Sequence, residues 1–125
     1  TGLTNPRAPE TAATLRKAGE LKIPFWKLGY YRYDAPKGAV IDIDKKLAEV
    51  QVALTGMTAL SRLYNCVAGF HNHSGNYVGS PVWDTRQLLT PLDAHFMGYY
   101  FDPAHATAEG GLWGWQGSLE IALPR

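Results

Sequence analysis

The residues with the most chemical potential stand just past two apolar runs. His71, Asn72, His73 and Ser74 follow Cys66-Val67-Ala68-Gly69-Phe70, and Asp102 and His105 follow Phe96-Met97-Gly98-Tyr99-Tyr100-Phe101. Side chains alternate along extended backbone, so His-x-His places both imidazoles on one face. Neutral imidazole is a common metal ligand, and the carboxylate of Asp102 offers a hard oxygen for Mg²⁺, Mn²⁺ or Zn²⁺. Each motif alone also has a plain structural use: loop histidines cap carbonyls, and an aspartate before Pro103 caps a turn or helix. Their common position, after consecutive apolar runs, is what predicts one shared site for His71, His73, Asp102 and His105.

Other residues fit around that site with less chemistry of their own. Arg32, within Tyr30-Tyr31-Arg32-Tyr33-Asp34, can grip a carboxylate or phosphate bidentately or stack on a neighbouring tyrosine. Trp113 and Trp115 offer either a wall for the carbon face of a sugar or ordinary packing surface. Glu109 lies just past His105 and is within sequence reach of the pocket. His95 precedes its apolar run instead of following it, and reads as a surface or loop residue. Cys66 sits inside an apolar run and is expected to be buried and inert. As the single cysteine it excludes an intrachain disulfide framework and a cysteine-based zinc site.

The elements that must carry these residues alternate in type. Residues 9–21 read as a helix, with Pro9 suited to a first helical position and good helix formers behind it. Residues 23–29 read as a strand, and 34–38 as a loop. Leu47, Val50, Leu54, Met57 and Leu60 keep the three-four spacing of an amphipathic helix over about 44–65, with Asp42 or Asp44 as its cap. Strands are expected over 66–70 and 96–101, a short helix over 82–89, and a helical tail from about Ser118. That order predicts a parallel α/β sheet with right-handed crossovers. Ligand groups in such sheets gather at the carboxyl ends of the strands, which is where the histidines and Asp102 fall. No Gly-x-Gly-x-x-Gly follows a strand and no phosphate loop of the Gly-x-x-x-x-Gly-Lys type occurs, so nucleotide-binding doubly wound folds lose their signature.

Composition narrows the function classes. The 125 residues carry 12 basic and 11 acidic side chains, a formal net charge of +1, with 46% hydrophobic residues. This is the balance of a folded globular domain, with no basic patch for nucleic acid and no apolar run near the roughly 20 residues that span a bilayer. The opening residues lack the charged-then-apolar design of a signal peptide, although a trimmed one would leave no trace.

The stretch Val67-Ala68-Gly69-Phe70-His71-Asn72-His73, followed by Gly98-Tyr99-Tyr100-Phe101-Asp102-Pro103-Ala104-His105, resembles the central portion of the xylose isomerase-like barrel family. That family includes sugar phosphate isomerases/epimerases and inosose dehydratases. Residues 18–29 resemble the helix-to-strand step before those motifs. The resemblance implies one partial domain over residues 1–125, forming about half of a (β/α)8 TIM barrel. It implies a divalent metal ion held by Asp102 and His71, catalytic roles for His71 and His105, and substrate contacts from His73, Arg32 and His105. His71 falls where epimerases commonly place a metal-binding, proton-moving glutamate, and the family's later-strand histidine and glutamate have no counterpart in these 125 residues. The expectation is therefore a fragment of a longer protein, or a half-barrel that pairs with a second copy or with the remainder of the barrel.

The function expected on this basis is metal-assisted proton transfer next to a carbonyl of a sugar or polyol, in the manner of an isomerase or epimerase. A metal-dependent hydrolase with a His-x-His site is one alternative. A non-catalytic sugar-binding or assembly module is the other.

Overall fold

Why the chain forms a sheet layered on helices follows from which side chains each element buries. The computed structural model describes residues 2–125. In chain order the elements are α1 (Pro9–Glu20), β1 (Phe25–Lys27), α2 (Ile43–Leu63), β2 (Val67–His71), α3 (Val82–Leu89), β3 (Met97–Tyr100), α4 (Pro103–Gly110) and α5 (Gly114–Ala122). The three strands form one parallel sheet in the order β1-β2-β3. The predicted parallel α/β arrangement is what the chain adopts.

The longest helix shows the logic most clearly. Asp42 caps α2 by accepting from the Lys45 N–H at 3.0 Å, which satisfies one of the donors a helix start leaves open. Leu47, Val50, Leu54 and Met57 then form a buried stripe against the sheet side chains Trp26, Ala68, Phe70 and Met97. Trp26 adds a specific tie, its indole N–H donating to the buried Ser61 hydroxyl at 3.3 Å. Strand alternation sends Phe25, Lys27, Val67, Gly69, His71 and Tyr100 to the other face. That face is more open: Phe25 and Tyr100 are both exposed.

Register sets where the chemistry lies. Gly69 pairs with Gly98 and His71 with Tyr100, so β2 and β3 end level with each other. Asp102, two residues past Tyr100, therefore emerges beside His71. The loops after β1 and β2 are also knit together, through an antiparallel bridge between Arg32 and Tyr77 and the backbone bonds Tyr33 N–H to Asn76 O and Val78 N–H to Tyr31 O. The turn that leads the chain back down to α3 requires Gly79. Its φ is +86°, and a Cβ there would stand 2.5 Å from the Phe70 ring.

Two expectations need correction. Residues Pro103–Gly110 form a helix not foreseen in the sequence, and α5 begins at Gly114, four residues before the anticipated start at Ser118. Gly110, Gly111, Gly114 and Gly117 lower intrinsic helicity across this region, and tertiary contact between α4 and α5 overrides it. Gly111, at φ +71°, ends α4, and residues 111–113 separate the two helices.

The core assignment predicts a sharp contrast within α2. Leu54→Ala, at a site with 0% exposure, should cost about 2–5 kcal/mol in denaturant unfolding. Val52→Ala, 66% exposed on the same helix, should stay within about 0.5 kcal/mol of the parent.

Candidate active site

A buried amide fixes the geometry at the carboxyl ends of β2 and β3. Asn72 has 0% exposure. Its Nδ2 donates to the Asp102 carbonyl at 2.9 Å, and its Oδ1 accepts the Asp102 N–H at 2.7 Å. This reciprocal pair clamps the backbone of Asp102 to the end of β2. The Asp102 side chain then divides its two oxygens. Oδ1 caps α4, accepting from Ala104 N–H at 2.8 Å and His105 N–H at 3.1 Å. Oδ2 turns the other way and faces the imidazoles.

Three side chains meet there. Nε2 of His71 lies 3.5 Å and Nε2 of His105 lies 4.0 Å from Asp102 Oδ2. One ligand atom from each of His71, Asp102 and His105 falls within 4.8 Å of the others. Metal–ligand bonds of about 2.0–2.2 Å require donors a few ångströms apart around a shared point. Modest inward movement of the side chains meets that requirement. The donor chemistry also suits a divalent ion, and both rings are braced from behind. Nδ1 of His71 is 3.0 Å from the Tyr30 hydroxyl, and Nδ1 of His105 is 2.9 Å from the Ser74 hydroxyl. Histidine ligands in metal sites are held in this way, through the ring nitrogen that does not bind the metal.

His73 belongs to the same cluster without joining the ligand group. Its ring centroid is 4.0 Å from that of His105 and 4.7 Å from that of Tyr77. Its Nδ1–H donates to the Ser74 carbonyl at 2.8 Å, a partner that can only accept, so Nε2 keeps its lone pair in the neutral ring.

Electrostatics favours a neutral histidine beside an ionised aspartate. Burial pushes the His71 pKa down from its ordinary value, and Lys27 on the same sheet face adds to this, against the opposing pull of Asp102. The Asp102 carboxyl is held below its usual range by the His105 backbone N–H first, with His71 and Ala104 contributing and partial burial working against them.

The remaining sequence candidates lie at or beyond the rim. Arg32 rests its guanidinium 4.3 Å above the Tyr77 ring and donates to the Tyr77 hydroxyl at 2.6 Å, one aromatic ring outside the histidine cluster. Glu109 accepts from Gly75 N–H at 2.8 Å and steadies the loop after β2. Trp113 is 72% exposed at the start of α5. His95 is exposed and pairs with Asp93, while Cys66 is buried and its thiol pKa is raised by that burial. Three residues that hold the site had no role assigned from sequence: Asn72, Tyr30 and Ser74. Their signal was position alone, since Asn72 and Ser74 flank His73 and Tyr30 opens the loop after β1.

No protein-family model matches the chain, and no curated protein does. Among solved structures, the chain is similar to a D-tagatose 3-epimerase-like protein, with a TM-score of 0.68 and 16% sequence identity over 98% of this chain. The likeness establishes the fold. These are βα units of a TIM barrel, and the chain spans about half the length of that neighbour, 48% of it.

Two outcomes follow from the clamp and the charges. Asn72→Ala strips Asp102 of both backbone partners and should cost about 1–3 kcal/mol in unfolding free energy, with loss of the ordered His71 and His105 imidazole signals by NMR. In the metal-free protein His71 should titrate below 6.5, so acidification protonates it in the unfolded chain before the folded one. Stability is then fully present above about pH 6.5 and falls as pH drops toward the lower folded value. Imidazole NMR titration alongside urea melts at stepped pH would read both, and His71→Asn should flatten that part of the slope.

Proposed function

We propose that residues 1–125 form one partial barrel domain of a sugar isomerase/epimerase-type protein, acting by proton transfer next to a carbonyl of a sugar or polyol. The observation that carries this reading is the meeting of His71, Asp102 and His105 at the carboxyl ends of parallel strands, the edge at which barrels build their sites. A fold shared with a D-tagatose 3-epimerase-like protein supports it. In this reading Asp102 Oδ2, His71 Nε2 and His105 Nε2 hold a divalent ion of Mg, Mn or Zn. Such an ion supplies Lewis-acid polarisation of a ketose carbonyl and its neighbouring hydroxyl, lowering the cost of removing the adjacent C–H proton.

The chain's own groups do the rest. His73 presents an Nε2 lone pair beside the ligand group and accepts the proton or orients a substrate hydroxyl. Tyr30 and Ser74 keep the two ligand rings aimed at a common point. Arg32 meets the distal part of the substrate from the rim. The remainder of the barrel, or a second copy, stands beside the edge strands β1 and β3 and closes the site from the other side.

Metal titration by calorimetry is the first test. Asp102→Asn keeps a good helix-capping side chain while removing the charge, so Mn²⁺ or Zn²⁺ affinity should fall by about a hundredfold with little change in melting temperature. Ser74→Ala and Tyr30→Phe should each cost about tenfold. Absence of metal binding by the parent chain would end the metal-centre reading. In the metal-loaded protein, solvent deuterium should enter the carbon next to a ketose carbonyl. Metal binding with no such exchange would leave a binding or hydrolytic role and refute proton transfer.

A further inference from the structure

A sizeable cavity lies away from the histidines. It has a volume of about 890 Å³ and runs between α3 and the α4–α5 pair, with Tyr99 and Arg125 at one side. None of His71, His73, Asp102 and His105 lines it.

Its polar groups are unusual in lacking partners. Ser80 is 4% exposed and its hydroxyl makes no hydrogen bond. Arg125 uses Nη2 on the Leu92 carbonyl, while its Nη1 is buried with no partner. Arg86 also lines the cavity, and among the described residues no carboxylate lies within ion-pair distance of Arg86 or Arg125. Buried polar atoms in folded proteins are normally bonded, so two orphans on residues that line one cavity point to a ligand that reaches them as it binds. Burial raises the Tyr99 phenol pKa, and the Arg125 and Arg86 charges act against that rise, so both guanidinium groups lie close enough to influence this hydroxyl.

Two carboxylates share the walls. Glu109 is engaged with the Gly75 N–H, and Glu120 is exposed to solvent on α5. The other wall is nearly bare backbone: a Cβ built on Gly110 or Gly117 would meet nothing within 4 Å, and the exposed Trp83 ring borders the opening. A ligand's carbon skeleton can lie there.

We propose that this cavity binds a small organic phosphate monoester, its phosphate held by Arg86, Arg125 and the Ser80 hydroxyl and its carbon skeleton laid over the glycine-lined face of α5. A phosphate monoester suits the donors better than a carboxylate. It carries close to two negative charges near neutral pH and three terminal oxygens, against one charge and two oxygens. Two guanidinium groups and the hydroxyls of Ser80 and Tyr99 match the larger set. The site is separate from the histidine cluster, and its occupancy does not depend on metal binding there.

The test is a titration of the ¹⁵N-labelled chain with glycerol 3-phosphate, inorganic phosphate and glycerol, followed by amide NMR. Glycerol 3-phosphate should give saturable shifts at Ser80, Arg86 and Gly117 and bind more tightly than inorganic phosphate, with glycerol silent. Arg86→Gln, at an exposed position that leaves the core intact, should weaken binding about tenfold. Glu120→Gln should tighten it, and Gly117→Leu should fill the cavity and abolish it. Three results would overturn the proposal: no saturable shift, unchanged affinity in Arg86→Gln with an unchanged spectrum, or shifts centred on His71 and His105. Equal affinity for inorganic phosphate and glycerol 3-phosphate would refute the organic half of it.

Discussion

The candidate site depends on one buried amide. Asn72 exchanges two hydrogen bonds with the backbone of Asp102, and everything chemical at this end of the sheet is measured from that junction. An amide suits the task because it donates and accepts at once. A carboxylate there would face the Asp102 carbonyl oxygen, and an alkyl side chain would leave two main-chain groups unpaired away from water. Parallel strands are joined only by their ladders and crossovers, and β3 has ended before Asp102 is reached. The Asn72 clamp extends the ladder by one side-chain rung and carries the register of β2 and β3 into the loop where precision matters.

Asp102 shows how one residue can satisfy two accounts of itself. As a cap it starts α4; as an anion it faces two imidazoles. These uses do not compete, because they employ different oxygens. The cap supplies much of the reason the carboxylate stays ionised, since the His105 backbone N–H is the leading cause of its lowered pKa. His105 thus meets Asp102 twice, through its backbone at one oxygen and across from its ring at the other. The first turn of α4 is what makes both contacts possible.

Much of this was legible in the chain. The apolar stripe of α2, the all-apolar runs of β2 and β3 and the placement of His71, His73, Asp102 and His105 after them all follow from periodicity, and the parallel order follows from the alternation of elements. What escaped was set by tertiary contact. Helix α5, with Gly114 and Gly117, becomes helical against α4 although local propensity argues against it. Helix α4 is a short segment whose local signals were its Asp102 cap, Pro103 and alanines. Asn72 carried no periodic or motif signal, because its value lies in a partner thirty positions away. Tyr30 and Ser74 were similarly silent: a hydroxyl that braces a ring looks in sequence like any loop hydroxyl. Arg32 had two readings, and the stacked one describes its geometry.

The braces behind His71 and His105 have one further property. Both are hydroxyls, and a hydroxyl can donate to a bare ring nitrogen or accept from a protonated one. Tyr30 and Ser74 therefore hold the two rings in place whichever nitrogen carries the hydrogen, unlike the Ser74 carbonyl, which commits His73 to a single tautomer. Before a cation arrives, the ionised Asp102 Oδ2, 3.5 Å from His71 Nε2, favours the hydrogen on that nitrogen, and the hydroxyl brace accommodates either form. An arriving cation or substrate selects the tautomer by relocating a hydrogen, and the braces stay in place as the rings make their small inward adjustment.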